Sequence, residues 1–159
     1  ASYNAQTAVD DAAHIIVAAE LTNNASDAGE LPTMLQAVKD NLGTLPERAL
    51  ADTGYKAEAV FEALAGSGCD LVVALGREGK KALRFDPERS PHTAAMAAKL
   101  QTEEGKAAYR RRKWIAEPPN GWIKNVLGFR QFSLRGLHRV QAEWKLVCLA
   151  LNLRRMAAM

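Results

Sequence analysis

Cysteine is scarce: only Cys69 and Cys148 occur in 159 residues, in apolar surroundings and without the paired short spacings of a zinc site. That excludes a disulfide framework and leads us to expect two reduced core thiols in a cytosolic protein. No apolar run approaches the ~20 residues that span a bilayer, and the first residues lack the charged and apolar pattern of a signal sequence. No membrane partner is expected. Internal repeats and low-complexity segments are missing too. Bases are scarce in the first part of the chain and acids in the second. Residues 1–98 carry 8 Lys/Arg against 14 Asp/Glu, a net of −6, whereas residues 99–159 carry 13 against 4, a net of +9. Such asymmetry points to a polyanion partner for the second part, with a solvated basic helix face as the plain alternative.

What is present suffices for one domain with a real core, since 48% of the residues are hydrophobic. Loose alternation over Ser2–Val9 and a β-branched run over His14–Leu21 predict a hairpin turning at Asp10-Asp11-Ala12-Ala13. Both aspartates read as turn residues and His14 as a strand-edge residue rather than a ligand. Asp27, with Glu30 three positions later, predicts the cap of a helix carrying Leu31, Met34, Leu35 and Val38 and ending at Gly43. A short buried strand, Pro46–Ala51, leads to Asp52. Ala57, Val60, Phe61 and Leu64 predict the next helix and Cys69–Leu75 the next strand. This order predicts a mixed sheet with helices on its faces.

Residues 76–90 read as a connecting loop that folds over the sheet edge. Its Gly76-Arg77-Glu78-Gly79-Lys80-Lys81 lacks the spacing and the hydroxyl of a phosphate loop. A helix is expected from Thr93 to Leu100, interrupted at Gly105, then a helical stretch through Tyr109–Trp114. Pro118 and Pro119 predict a kink or restart beside Glu117. Leu127–Leu134 reads as irregular, and Gly136–Met156 as a final helix with Leu137, Val140, Trp144, Val147, Cys148 and Leu151 inward. Arg154 and Arg155 then favour its negative end.

Two acids stand out. Asp52 ends an apolar strand and precedes Thr53-Gly54-Tyr55, a position that suits a helix cap and a metal ligand equally. Active sites gather outside the carboxyl ends of strands in sheets of this kind. Glu117 follows Arg110-Arg111-Arg112-Lys113 and on its own reads as a surface acid paired with Arg112 or Lys113. Trp114 and Trp122 read as core more readily than as platforms for a base.

In order along the chain, Tyr3-Asn-Ala-Gln-Thr-Ala-Val-Asp10, Ile15-Ile-Val-Ala-Ala19, Ala51-Asp52-Thr-Gly-Tyr55, Tyr109-Arg-Arg-Arg-Lys-Trp-Ile-Ala-Glu117 and Gly128-Phe-Arg-Gln-Phe-Ser-Leu-Arg-Gly136 resemble the carboxyl-terminal catalytic portion of bacterial insertion-sequence transposases of the DDE type. The resemblance implies an α/β, ribonuclease H-like mixed sheet with flanking helices and a helical C-terminal region. It also implies three acids holding two divalent cations, Mg2+ or Mn2+. By motif match Asp52 resembles the second acid and Glu117 the third, with Lys124 at the family spacing. These three are the expected catalytic positions, and Asp52 and Glu117 the expected metal ligands. The first acid belongs to a strand before the hairpin, so residues 1–159 are expected to be one partial catalytic domain lacking the first strand, a fragment inactive alone. Within it, residues 1–75 would form the sheet and helix core, 76–108 a connecting segment and 109–159 a basic helical region. Arg111, Arg112, Lys113, Lys124, Arg130 and Arg135 are expected on DNA phosphates, which position a duplex without reading its sequence. The implied partners are DNA and transposon ends, with a homodimer allowed in a complete enzyme. The implied location is the bacterial cytoplasm, on the nucleoid when DNA is bound. A noncatalytic DNA-binding remnant and a structural interaction domain remain the alternatives.

Overall fold

The computed structural model describes residues 3–76 and 85–159. Most of the loop read between residues 76 and 90, including its phosphate-loop look-alike from residue 77 onward, lies outside them. β1 (Asn4–Val9) and β2 (Ile16–Thr22) form an antiparallel hairpin with Asn4 opposite Thr22 and Ala8 opposite Ala18, irregular between Ala8 and Val9. Its turn is built by Asp10, whose carboxylate accepts the backbone N–H groups of Ala12, Ala13 and Ile15. At the other edge of the hairpin, Asn152 acts as a substitute strand. Its side-chain amide accepts from Ile16 N–H and donates to Ile16 C=O, both at 2.8 Å.

α1 (Leu31–Leu42) buries Leu31, Met34, Leu35 and Val38, the expected stripe, and ends at Gly43 in the left-handed conformation. Its start differs from the sequence reading. The cap position is Glu30, whose side chain makes no cap bond, while the Asp27 carboxylate is drawn sideways to β1.

β3 (Arg48–Ala51) and β4 (Asp70–Val73) pair in parallel, Arg48 opposite Asp70 and Ala51 opposite Val73, joined through α2 (Glu58–Leu64). Leu71 through Leu75 are all buried, as befits a parallel strand covered on both faces. Burying side chains of this kind stabilises the fold by about 1.5–3 kcal/mol each. α3 (Pro91–Gln101) covers the other edge of β4: Met96 Sδ accepts from Val73 N–H, and Lys99 Nζ donates to Leu71 C=O at 2.7 Å. The first turn of α3 is capped from a different helix. Glu58 accepts the N–H groups of His92 and Thr93 and the Thr93 hydroxyl.

The hairpin and the parallel pair are two separate two-stranded sheets, where the strand order had suggested one mixed sheet. The reason is that each ladder closes on its own partner and, among the described residues, helices rather than backbone bonds connect the pairs. α1 packs on both hairpin strands and on α2, and α4 (Glu103–Asn125) packs on β1, β3, β4 and α5 (Leu137–Met156). One apolar cluster joins α1, α2, α3 and the parallel pair, and a second joins β2, α4 and α5.

α4 departs from expectation twice. Gly105 does not interrupt it but sits in its first turn, under the Thr102 cap, because a Cβ there would lie 2.0 Å from the Lys99 carbonyl oxygen. Only glycine lets α3 and α4 approach so closely. Nor does the Pro118-Pro119 pair restart the helix, which runs on to Asn125. Pro118 has no N–H for the Trp114 carbonyl, and His14 Nε2 occupies that oxygen at 2.8 Å instead. His14, in the left-handed region at φ 57°, therefore repairs a helix a hundred residues away.

α5 (Leu137–Met156) buries Val140, Trp144, Cys148 and Leu151, whereas Leu137, expected inward, is 41% exposed. Leu137 lies in the first turn of the helix, before its packed face begins. Between α4 and α5, Phe129 and Phe132 stack edgewise with each other, and Phe132 meets both Tyr3 and Trp144. Trp144 Nε1 donates to the Gln6 carbonyl and so ties α5 to β1. Burial pushes the Cys148 thiol up to about 12, which leaves it protonated and unreactive. No helix among the described residues is long and apolar enough to cross a membrane.

Candidate functional site

β3 ends at Ala51, and the chain turns at once through a single 3-10 turn, Thr53–Tyr55, with Asp52 at its head. Asp52 Oδ1 accepts the Gly54 N–H at 2.9 Å. The cap reading of Asp52 is thus observed, and it occupies only one of the two carboxylate oxygens. The residue lines an open groove of about 430 Å³ together with Asp27, Thr53, Gly54, Gly76, Tyr109 and Arg112.

Asp27 is the member of this groove that the sequence reading missed as a site residue. Asn4 Nδ2 and Gln6 Nε2 both donate to its Oδ1, at 2.5 and 2.8 Å. Its other oxygen, Oδ2, lies 2.8 Å from the point a Cβ on Gly54 would occupy, and Asp52 Oδ1 lies 3.0 Å from the same point. Two carboxylates therefore flank a cradle that exists because residue 54 is glycine. Tyr55 registers them: burial first, then the charges of Asp27, Asp52 and Glu30, push its phenol well above the usual range and keep it protonated. The sequence signal for the pairing was the alternation of Asn4 and Gln6 on one face of β1.

α4 contributes Tyr109 and Arg112 to the groove. The Arg112 guanidinium lies 5.6 Å from the Tyr109 ring centre, and its Nε is buried without a partner among the described residues. Glu117 is exposed and outside the lining of the groove. Because α4 is continuous, Glu117 and Lys124 stand seven residues, about two turns, apart on one exposed face, with Lys113 one turn before them. The structure brings Asp52 together with Arg112 and leaves Glu117 and Lys124 on that outer face.

The other expected DNA contacts are distributed as follows. Arg111 is paired with Asp11 at 2.7 Å on the surface, and Lys113, Arg130 and Arg135 are exposed. Arg130 donates to Asn125 at 3.3 Å. Arg155, read as a helix-end base, instead donates to the Ala13 carbonyl and lies 4.5 Å from the Trp122 ring centre. Trp122 is accordingly packed, while Trp114 is 78% exposed, against its reading as core. The helix continues past Pro118 and carries the Trp114 side chain outward.

A divalent cation would find oxygen donors here of the right hardness. Among the described residues no three His, Cys, Asp or Glu side chains converge closely enough to hold a metal ion. One oxygen of each carboxylate lies beside the Gly54 cradle, and oxygen donors are what an ion of the magnesium class takes.

Neither a curated protein nor a solved structure matches the chain. The family model of the transposase DDE domain matches residues 1–153. That match covers the hairpin, the Asp52 turn, the groove and almost all of α5, and the chain belongs to the transposase DDE domain family, whose members act on DNA in transposition and generally use divalent metal ions.

Proposed function

We propose that this domain serves the cutting and joining of transposon DNA ends by metal-dependent phosphodiester transfer, on a ribonuclease H-like framework. The observation that carries the proposal is Asp52, a carboxylate at the carboxyl end of a parallel strand with one oxygen fixed by the Gly54 N–H and a groove beside it. Asp52 would hold Mg2+ or Mn2+ there. When bound, such an ion activates an attacking hydroxyl or water and stabilises the leaving oxygen. Glu117 and Lys124, on one face of α4, are the residues proposed to complete the site from the helix side. The antiparallel hairpin followed by a parallel pair with flanking helices supports the ribonuclease H-like assignment.

The chain's own residues supply positioning. Lys113, Lys124, Arg130 and Arg135 are exposed cations suited to phosphate contacts, with Arg111 on the surface beside Asp11, Arg112 in the groove and Trp114 open to a base. DNA binding measured by fluorescence anisotropy at rising salt tests this part. A slope of log affinity against log salt near −0.9 for each phosphate engaged is expected for duplex DNA. No binding at low salt would overturn it. Because no three-acid cluster forms among the described residues, a second reading, DNA binding without turnover, is kept. Nicking of supercoiled plasmid that requires Mn2+ and is lost in Asp52→Asn would exclude that second reading.

A further inference from the structure

We propose that Asp27 is a cation ligand, forming with Asp52 a divalent-ion site across the Gly54 cradle. This rests on the reading of Asp52 as a metal ligand and adds to it a carboxylate from another part of the chain. Asp27 is presented as a ligand is held: Oδ1 is engaged by two primary amides from β1, and Oδ2 is turned to the cradle and accepts no hydrogen bond among the described residues. Asp52 matches it from the other side, with Oδ1 fixed by Gly54 N–H and Oδ2 accepting none among the described residues. Two carboxylates so close repel each other unless a positive charge lies between them.

The amide that holds Asp27 also carries an unsatisfied oxygen. Gln6 is only 5% exposed, and while its Nε2 holds Asp27, the Oε1 on the same amide is buried with no donor among the described residues. A buried oxygen in that condition carries a desolvation cost that a cation, or the water a cation carries, removes. The ligand is a hard divalent ion of the magnesium class, since every donor is oxygen and the groove has room for bound water. Arg112, the cationic side chain that lines the groove from α4, competes with the ion by charge.

The test is an Mn2+ titration followed by the electron paramagnetic resonance signal of the unbound ion, on the full chain, with circular dichroism confirming that each variant folds. Asp27→Asn and Asp52→Asn should each weaken Mn2+ binding by roughly 10–100-fold or more. Gly54→Ala should weaken it too, by placing a methyl group between the two oxygens. Arg112→Gln should tighten it. Should Asp27→Asn bind as the parent does while Asp52→Asn does not, the proposal falls and the reading of Asp52 stands. If the parent binds no Mn2+, or Asp52→Asn changes nothing, both fall. Where Asp27→Asn fails to fold, localised cleavage of the parent backbone by Fe2+, ascorbate and peroxide decides. Cuts near both residue 27 and residues 52–54 support the site, and cuts near 52–54 without any near 27 overturn it.

Discussion

Asp52 has two roles in the structure and its site, and two substitutions separate them. The carboxylate caps a 3-10 turn through Gly54 N–H at 2.9 Å, and it presents charge to the groove. Asp52→Ala removes both. Loss of a cap costs ~0.5–2 kcal/mol, which for a chain of this size lowers Tm by roughly 2–4 °C per kcal/mol. Asp52→Asn keeps an oxygen that accepts the same N–H, so its Tm should fall by less than about 2 °C, yet it removes the charge. The two variants are therefore expected to differ in thermal stability and to agree in losing cation affinity. Thermal melts by circular dichroism, run beside the Mn2+ titration, measure both quantities on the same samples. If Asn destabilises as much as Ala while both retain parental Mn2+ affinity, Asp52 is a structural cap alone, and the functional reading built on it is refuted.

Other consequences follow from specific interactions. His14→Ala should cost about 1 kcal/mol in urea denaturation by baring the Trp114 carbonyl, and less when Pro118→Ala supplies an N–H to that oxygen. Equal costs in both backgrounds would show that His14 does not act through the proline gap. Trp144→Phe leaves the Gln6 carbonyl without its donor and should destabilise by ~1–3 kcal/mol, read from the same denaturation midpoint. The hydrogen bond from Lys99, then that from Arg48, holds the Asp70 carboxyl below its ordinary range, and the Ser133 and Leu134 N–H groups do the same for Glu143. With both depressed in the folded state, the unfolded chain binds more protons. Their stabilisation is present above the unfolded carboxylate range near pH ~4 and is lost as pH falls through the lowered folded values. Glu143→Gln should flatten that acid limb in pH-dependent melts. Replacing Lys124, Arg130 and Arg135 together by Gln should weaken DNA binding evenly across sequences and reduce the salt slope by about 0.9 for each phosphate no longer engaged.

Local pattern was enough for most elements. The stripe Leu31, Met34, Leu35 and Val38 specifies α1 because a 3.6-residue period has one buried face, and the run from Leu71 to Leu75 specifies a strand covered on both sides. Asp10 was legible as a turn residue and Asp52 as a strand-end acid, since both act on backbone within a few residues. The order of motifs was also enough to suggest the family that residues 1–153 match.

Tertiary structure decided what depends on partners distant in the chain. Asp27 has the local sequence of a helix cap, but its carboxylate is taken by Asn4 and Gln6, more than twenty residues earlier, and is placed beside Asp52. Pro118 has the local sequence of a break, and the helix continues with His14 on the orphaned carbonyl, a partner a hundred residues away. Gly105 reads as an interruption until α3 brings the Lys99 carbonyl against it. Sequence by itself determined where most strands and helices lie and which acid ends a strand, because periodicity and turn chemistry are local. Which acid faces which, and that Arg112 rather than Glu117 shares the groove with Asp52, came only from packing, because hydrogen-bond demand and close approach are settled between segments.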